Sequence, residues 1–397
     1  MTRATVCHII TKLELGGAQQ NTLFTVAHLD RSRFRPVLIS GERGLLDDEA
    51  AGLLGEDWRR VPSLVRPINP AADLRAFLSI RNVLRQIRPM IVHTHSSKAG
   101  ILGRLAARSA GVPIVVHTIH GFGVTPAQHP MTRWALLGAE RVASRATDRF
   151  FAVSQANRQQ GIRQNLFRAD QCRVIRSGVD LRALRELSLD VGAKKRSLGF
   201  APDQSIIGMV GPLKPQKAPL DFLRMAASVR RSRPDVAFLY IGDGELKTAF
   251  EAEVARLHLT SSCKLLGWRR DVPELLRCLD VFVLTSLWEG LPRVYLEALA
   301  SGIPVVGTRV DGAAEVIRDG YNGYLLAPHD WEGLARRVLY LLSAPEIRAS
   351  MGARGRQGLS PDFDIYEMVR RQEREYDELL AAGTGSVGPV IRLQGAA

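Results

Sequence analysis

Short runs of β-branched and apolar residues recur along the chain, each followed by a stretch in which apolar positions return at helical spacing. In the first half the runs lie at residues 6–10, 36–40, 91–95, 114–120, 149–154 and 173–176. In the second half they lie at 206–210, 236–241, 264–266, 281–285 and 304–308. Continuous apolar strands alternating with helices predict parallel sheets, because a strand covered by helices on both sides keeps no face for polar residues. The two series are separated near residues 185–203, where Asp190-Val191-Gly192-Ala193-Lys194-Lys195-Arg196 forms a polar stretch. The pattern predicts an α/β protein of two doubly wound parallel-sheet (Rossmann-like) domains facing one another across a cleft. Residues 364–380 again show helical spacing, and Gly383-Thr384-Gly385-Ser386 opens a stretch that reads as a mobile tail.

Composition narrows the class. The chain has 397 residues, 46% hydrophobic and 24% charged, which excludes a disordered or collagen-like chain and fits two globular domains. No apolar run reaches the roughly 18 residues of a spanning helix. The first strand follows Met1 almost directly, so no signal peptide is expected. Cys7, Cys172, Cys263 and Cys278 are widely separated, which argues against a disulfide scaffold or zinc site and for a reducing cytosol. Charge adds a direction. The formal net charge is +14, and residues 1–180 hold 25 basic but only 13 acidic side chains. An anionic partner is expected there: a membrane surface, a phosphorylated substrate or nucleic acid. Nucleic acid is set aside, because no helix-turn-helix, zinc-finger or RRM signature occurs and aromatics are only 6%.

In open parallel sheets the chemistry lies in loops after the carboxyl ends of strands. Gly16-Gly17 follows the first strand and opens a helix, where the backbone can approach an anion closely. Neither G-x-G-x-x-G nor a Walker A loop is present. Two histidine clusters end strands: His93-Thr94-His95 and His117-Thr118-Ile119-His120. His93 and His117 read as satisfied histidines within strands, whereas His120, before Gly121-Phe122-Gly123, is expected to protrude into the cleft. Lys214 and Lys217 follow the strand at 206–210, as compact charges suited to a diphosphate. The strongest segment is Glu289-Gly290-Leu291-Pro292 followed by Glu297, with Pro292 expected in the first helical turn and Gly302 and Pro304 at the helix end. Ionised carboxylates offer only acceptors and so suit vicinal sugar hydroxyls. Gly242-Asp243-Gly244-Glu245 reads equally well as a plain turn. Asp362-Phe363-Asp364 is the one D-x-D match and reads as a polar loop, so no metal ligands are assigned.

These stretches resemble retaining glycosyltransferase family 4, the group 1 glycosyl transferases, which have the GT-B fold. The resemblance runs from about residue 8 to 330. It is carried by Gly16-Gly17-Ala18-Gln19, the two histidine clusters, Val153-Ser154, Gly178-Val179-Asp180, residues 213–217, Gly242-Asp243-Gly244, Asp271-Val272-Pro273, and Glu289 with Glu297 as an E-x7-E pair. It implies an acceptor-binding domain at 1–188, a nucleotide-sugar domain at 189–363, and a helix at 364–382 crossing back to the first domain, with a tail at 383–397. It also implies roles. Glu297 would hold the ribose and Glu289 hydroxyls of the transferred sugar, with Gly290, Leu291 and Pro292 supplying backbone contacts. Lys217 would neutralise the leaving diphosphate opposite Gly16 and Gly17. His120 would touch the donor sugar or assist the acceptor. This chain departs from the pattern at Pro212, where many members carry arginine, and Lys214 stands near to replace that charge. Ser177 and Asp311 stand where asparagine and glycine are frequent.

The expected activity is transfer of a hexose or N-acetylhexosamine from a nucleotide diphosphate sugar, a UDP-sugar by default. The acceptor is a hydroxyl of a saccharide or lipid-linked saccharide, as in bacterial surface polysaccharide or lipopolysaccharide synthesis, with no cofactor and no metal. The expected place is the cytoplasm, with peripheral contact with the inner face of an anionic membrane through two basic helices. One spans 73–88, with Leu74, Phe77, Leu78, Leu84 and Ile87 on one side and Arg81, Arg85 and Arg88 beside them. The other spans 131–149, with Arg133, Trp134, Arg141, Arg145 and Arg149. The alternatives are a GT-B phosphorylase, a GDP-mannose-dependent mannosyltransferase, or a catalytically silent nucleotide-binding subunit.

Overall fold

The protein's structure is a computed structural model that describes residues 3–123 and 128–384. Among these residues, thirteen strands form two sheets in which every neighbouring pair is parallel. The first sheet contains β1 (Ala4–Lys12), β2 (Phe34–Glu42), β3 (Trp58–Arg60), β4 (Ile91–His95), β5 (Ile114–Ile119), β6 (Arg149–Ala152) and β7 (Cys172–Val174), in the order β3-β2-β1-β4-β5-β6-β7. The second contains β8 (Ile206–Val210), β9 (Ala237–Ile241), β10 (Cys263–Leu265), β11 (Val281–Leu284), β12 (Val305–Thr308) and β13 (Gly323–Leu326), in the order β10-β9-β8-β11-β12-β13. In each sheet the chain starts in the middle, runs to one edge, and returns to the other side of its first strand. That reversal lies between β1 and β4 and between β8 and β11, and it opens a crevice at the strands' carboxyl ends.

Alternation along β1 shows why both faces are apolar. Cys7 and Ile9 pack against Ala76, Ile80, Leu84 and Ala106 on one face. On the other, Val6 joins Phe34, Phe151, Met368 and Tyr376, while Ile10 joins Leu23 and Val26. The second sheet carries one large core that includes Phe222, Phe238, Tyr240, Phe282 and Tyr295.

The last helix, Ile365–Thr384, returns to the first sheet. Its Tyr376 is buried against Phe34, His93 and Phe151. Glu373 accepts from the Asp30 N–H at 2.7 Å and pairs with Arg33 at 3.1 Å. The outgoing and returning chain segments pair where they cross: Val179 N–H donates to the Phe363 carbonyl, and Ile365 N–H to the Val179 carbonyl, both at 3.0 Å. A Cβ on Gly178 would sit 2.4 Å from Ile365 Cα, so only glycine fits that crossing.

The structure corrects several expectations. β3 and β13 have no counterpart in the apolar pattern. Both are short edge strands, and Trp58-Arg59-Arg60 is largely polar because an edge is covered less completely. The polar stretch at 190–196 is a helix: Asp190 caps Val191–Ser197 by accepting from the Ala193 N–H at 2.8 Å. The helix expected at 73–88 is Pro70–Ile87, and its buried stripe is Ala72, Ala76, Ile80 and Leu84, a strict four-residue spacing. Leu74 and Leu78 face outward instead. The helix expected at 131–149 is Pro130–Ser144, and Arg149 begins β6. Gly383 and Thr384 end the last helix, while residues 385–397 of the expected tail lie outside the described residues. No helix among the described residues is long and apolar enough to cross a membrane.

Candidate active site

The second lobe's reversal point builds a lysine–carboxylate pair. Beyond β8 the chain makes one 3-10 turn, Pro215–Lys217, and Ala218 at φ +43° redirects it into the helix Pro219–Ser232. The loop after β11 clamps this turn. Thr285 Oγ1 lies 2.8 Å from the Lys217 carbonyl and 3.0 Å from that of Ala218. Leu287 N–H donates to the Gln216 carbonyl at 2.8 Å, and the Gln216 amide to the Trp288 carbonyl at 2.9 Å. Lys217 Nζ is thereby held in an ion pair with Glu289 Oε1, which also accepts from Ser286 Oγ at 2.6 Å. Both charged side chains are largely buried. The Glu289 N–H donates to Asp311 Oδ2 at 2.6 Å. Asp311 sits at φ +36°, a conformation that non-glycine residues rarely adopt. Burial raises its carboxyl pKa.

Pro292 is the N-cap of the helix Arg293–Ala300, one residue outside the position expected for it. Leu291 is buried in the second lobe's core, so its backbone is the part left for a ligand. Glu297 lies one turn into the helix and pairs with Arg293 at 3.5 Å. Arg293 spans the cleft: Nη1 donates to Gln20 Oε1 at 2.7 Å and to the Gly17 carbonyl at 3.4 Å. A Cβ on Gly17 would lie 3.1 Å from Arg293 Cδ, so the glycine leaves room for the arginine over the helix start. Burial lowers the Arg293 pKa, with Glu297 opposing the shift. Arg293 is not among the residues expected at the site, although its i, i+4 spacing to Glu297 is a visible signal.

The first lobe supplies the facing wall. Gly16 is the extended N-cap of the helix Gly17–His28. Lys214 Nζ reaches Glu14 Oε2 at 3.4 Å from the other lobe, and Glu14 also meets Arg66 at 3.0 Å. Burial alone would raise the Glu14 pKa, but Arg66, Lys214 and Lys12 outweigh it and hold the carboxyl below its ordinary value. His120 follows β5, and the next residue, Gly121, has φ +126°. The two lobes touch here through backbone: a Cβ on Gly290 would fall 2.1 Å from the His120 carbonyl oxygen. His120 also lines a partly open hollow with Phe122, Leu136, Leu137 and Leu166. Burial pushes its imidazole down to about 4, and the Arg293 charge adds to the shift.

Of the other histidines, His93 bonds to the Tyr376 hydroxyl and, at 2.6 Å, to Thr118 Oγ1, and His117 bonds to Thr94 Oγ1 at 2.9 Å. His8, His93 and His95 form the one histidine, cysteine or carboxylate trio among the described residues with ligand atoms within 4.8 Å of one another. Both His93 nitrogens are already engaged, so the trio does not offer three free lone pairs. The D-x-D carboxylates are engaged as well: Asp362 pairs with Arg371, and Asp364 accepts from the Tyr366 N–H at 2.9 Å.

The cleft thus gathers Lys217, Glu289, Gly290 and the Arg293–Glu297 pair against Gly16, Gly17 and His120. Two facing Rossmann-like lobes with such a seam define a GT-B glycosyltransferase, an enzyme. The comparisons agree. The model for "Glycosyltransferase Family 4" matches residues 15–183 and that for "Glycosyl transferases group 1" residues 190–358. The chain is 31% identical over 380 residues to the UDP-Gal:alpha-D-GlcNAc-diphosphoundecaprenol alpha-1,3-galactosyltransferase of Escherichia coli, covering 94% of this chain and 97% of that one. Among solved structures, HepE of Anabaena in complex with UDP and glucose superposes with a TM-score of 0.82 at 21% identity, over 95% of this chain and 100% of that one. WaaG, a glycosyltransferase involved in lipopolysaccharide biosynthesis, gives 0.76 at 16% identity, over 97% and 100%. The chain belongs to glycosyltransferase family 4.

Proposed function

We propose that the protein transfers a hexose or N-acetylhexosamine, with retention of anomeric configuration, from a UDP-sugar to a hydroxyl of a lipid-linked saccharide in bacterial surface polysaccharide assembly. The observation that carries this reading is the buried Lys217–Glu289 pair set against the His120–Gly121 backbone across the cleft. In the reaction the bond from sugar C1 to the β-phosphate oxygen breaks, and the acceptor oxygen bonds C1 on the same face. Charge accumulates on the departing diphosphate. Lys217, the backbone N–H groups at the start of the helix Arg293–Ala300 and Arg293 are the cationic and dipolar groups placed to receive it. Lys214 is tied to Glu14 and so is a weaker substitute for the arginine absent at Pro212. Glu297 holds the ribose, and Glu289 holds hydroxyls of the sugar beside Gly290, Leu291 and Pro292. His120 meets the sugar from the first lobe, residues 1–188 take the acceptor and residues 189–363 the donor.

The Escherichia coli relative is named for UDP-galactose and a diphosphoundecaprenol-linked GlcNAc, and it aligns along nearly the whole chain, which supports this donor and acceptor class. A surface feature supports a lipid-linked acceptor. The helix Pro130–Ser144 leaves Met131 75% and Trp134 80% exposed, on the same helix as Arg133 and Arg141. Apolar side chains among arginines suit an anionic bilayer surface on the cytoplasmic side. The test is UDP release from UDP-galactose, UDP-glucose, UDP-GlcNAc and GDP-mannose, each with a prenyl-diphosphate-linked GlcNAc acceptor. Acceptor-dependent release from a UDP-sugar is expected. Release of a sugar phosphate on adding inorganic phosphate would indicate a phosphorylase, and no turnover with any donor would indicate a silent subunit.

A further inference from the structure

The site's histidine does not stand alone. His95 Nδ1 lies 3.0 Å from His120 Nε2, and His95 Nε2 lies 3.0 Å from His8 Nδ1. The His8 and His95 rings are 7° from coplanar with centroids 5.3 Å apart. At that nitrogen separation the rings lie edge to edge, so the hydrogen bond runs in the ring plane. Three imidazoles therefore form a chain from the interior of β1, through the end of β4, to the cleft. His8 and His95 are fully enclosed, and burial holds both rings far below the pKa of a free histidine.

A chain of neutral imidazoles has only two proton arrangements, because each ring has one N–H and one lone pair. In the first, His120 Nε2–H donates to His95 and His95 Nε2–H donates to His8 Nδ1. The proton of His8 then sits on Nε2. In the second, every bond runs the other way: His8 Nδ1–H to His95, His95 Nδ1–H to His120, and the His120 proton on Nδ1. The far end of the chain decides between them. His8 Nε2 is buried and has no hydrogen-bond partner among the described residues. A buried N–H without an acceptor is less well tolerated than a buried lone pair without a donor. The second arrangement leaves only a lone pair there.

We propose that His8 and His95 are positioning residues that lock His120 as the Nδ1–H tautomer, so that His120 offers the cleft a hydrogen-bond donor rather than a base. This rests on the glycosyl-transfer reading above. A ring that presents N–H donates to an oxygen of the sugar or acceptor. It does not collect the acceptor's proton, which passes instead to the departing diphosphate oxygen as the C1–oxygen bond breaks.

The test has two arms. In the full-length enzyme labelled with 15N-histidine, long-range 1H–15N spectra at pH 7 are expected to show His120, assigned by its loss in His120→Ala, with the proton on Nδ1. A proton on Nε2 overturns the proposal, whether or not any glycosyl transfer is found. The second arm measures UDP-sugar turnover. His8→Val is expected to lower kcat about tenfold. His8→Asn, whose amide N–H can stand where Nδ1–H stood, is expected to restore it. In a His120→Ala background, His8→Val is expected to have no further effect. An equal loss in both backgrounds would mean that His8 acts only on packing. If His8→Val fails to fold, the tautomer spectrum of the wild-type enzyme decides alone.

Discussion

Gly290→Ala tests the cleft contact with one added carbon. The new Cβ would lie 2.1 Å from the His120 carbonyl oxygen, 2.5 Å from its carbonyl carbon and 2.9 Å from the Gly121 nitrogen. All three are backbone atoms, so no rotamer change relieves the overlap. Ordinary contact begins at 3.4 Å, so the two backbones must part by about 1.3 Å at this point. Displacements near 1 Å in a reacting geometry cost about a hundredfold in rate. We therefore expect kcat/KM to fall about a hundredfold in a UDP-release assay. The binding of UDP by calorimetry should change by only a few-fold, because Glu297 and Lys217 belong to the same lobe as Gly290 and move with it. Gly312 N–H donates to the Gly290 carbonyl at 3.2 Å and helps to keep that loop in place. Turnover within threefold of wild type would refute the argument, since it would show that catalysis does not need the lobes in this register.

Lys217→Met should reduce kcat about a hundredfold or more, since one preorganised charge facing developing negative charge is worth about 3–4 kcal/mol; single-turnover kinetics would reveal it, and a loss under fivefold would exclude lysine from the chemical step. Glu297→Gln should weaken UDP about tenfold to a hundredfold, as expected for charge-assisted hydrogen bonds of about 1.5–3 kcal/mol, measured by calorimetry. Stability should fall as the pH drops from 6.5 to 5. Native His8 titrates near 3 and His120 near 4, while in the unfolded chain both titrate near 6.5, so in that window the unfolded state binds protons that the native state refuses. Each such histidine contributes a slope of about 1.4 kcal/mol per pH unit below its unfolded pKa, readable from urea melts, and His8→Val should make that slope shallower.

The apolar runs located the internal strands because β1, β8 and β11 are buried on both faces, and such strands cannot carry polar positions without partners. They also found the edge strands β7 and β10 but not β3, which is three residues with two exposed arginines, or β13, where Gly323-Tyr324-Leu325-Leu326 holds no β-branched residue. The candidate site was legible where one segment carries it. Glu289 and Glu297 bracket a helix start, and a carboxylate pair around exposed N–H groups has few structural purposes. Arg293 was overlooked because an arginine four residues before a glutamate usually marks a solvated helix face. Its reach to Gln20 depends on the other lobe.

What the chain encoded by itself was local: which residues form strands, which loops end them, and which side chains could meet a sugar or a diphosphate. Tertiary structure decided which of these meet. Lys217 and Glu289 are 72 residues apart and pair only because β8 and β11 are neighbours in the sheet. His8 and His95 are 87 residues apart and bond only because β1 lies beside β4. Gly290 meets His120 only because the lobes close. Hydrophobic periodicity specifies burial, which is a property of one element at a time. Strand order, lobe closure and the direction of a proton along a row of histidines depend on pairings between distant elements, and no periodicity within one element can encode them.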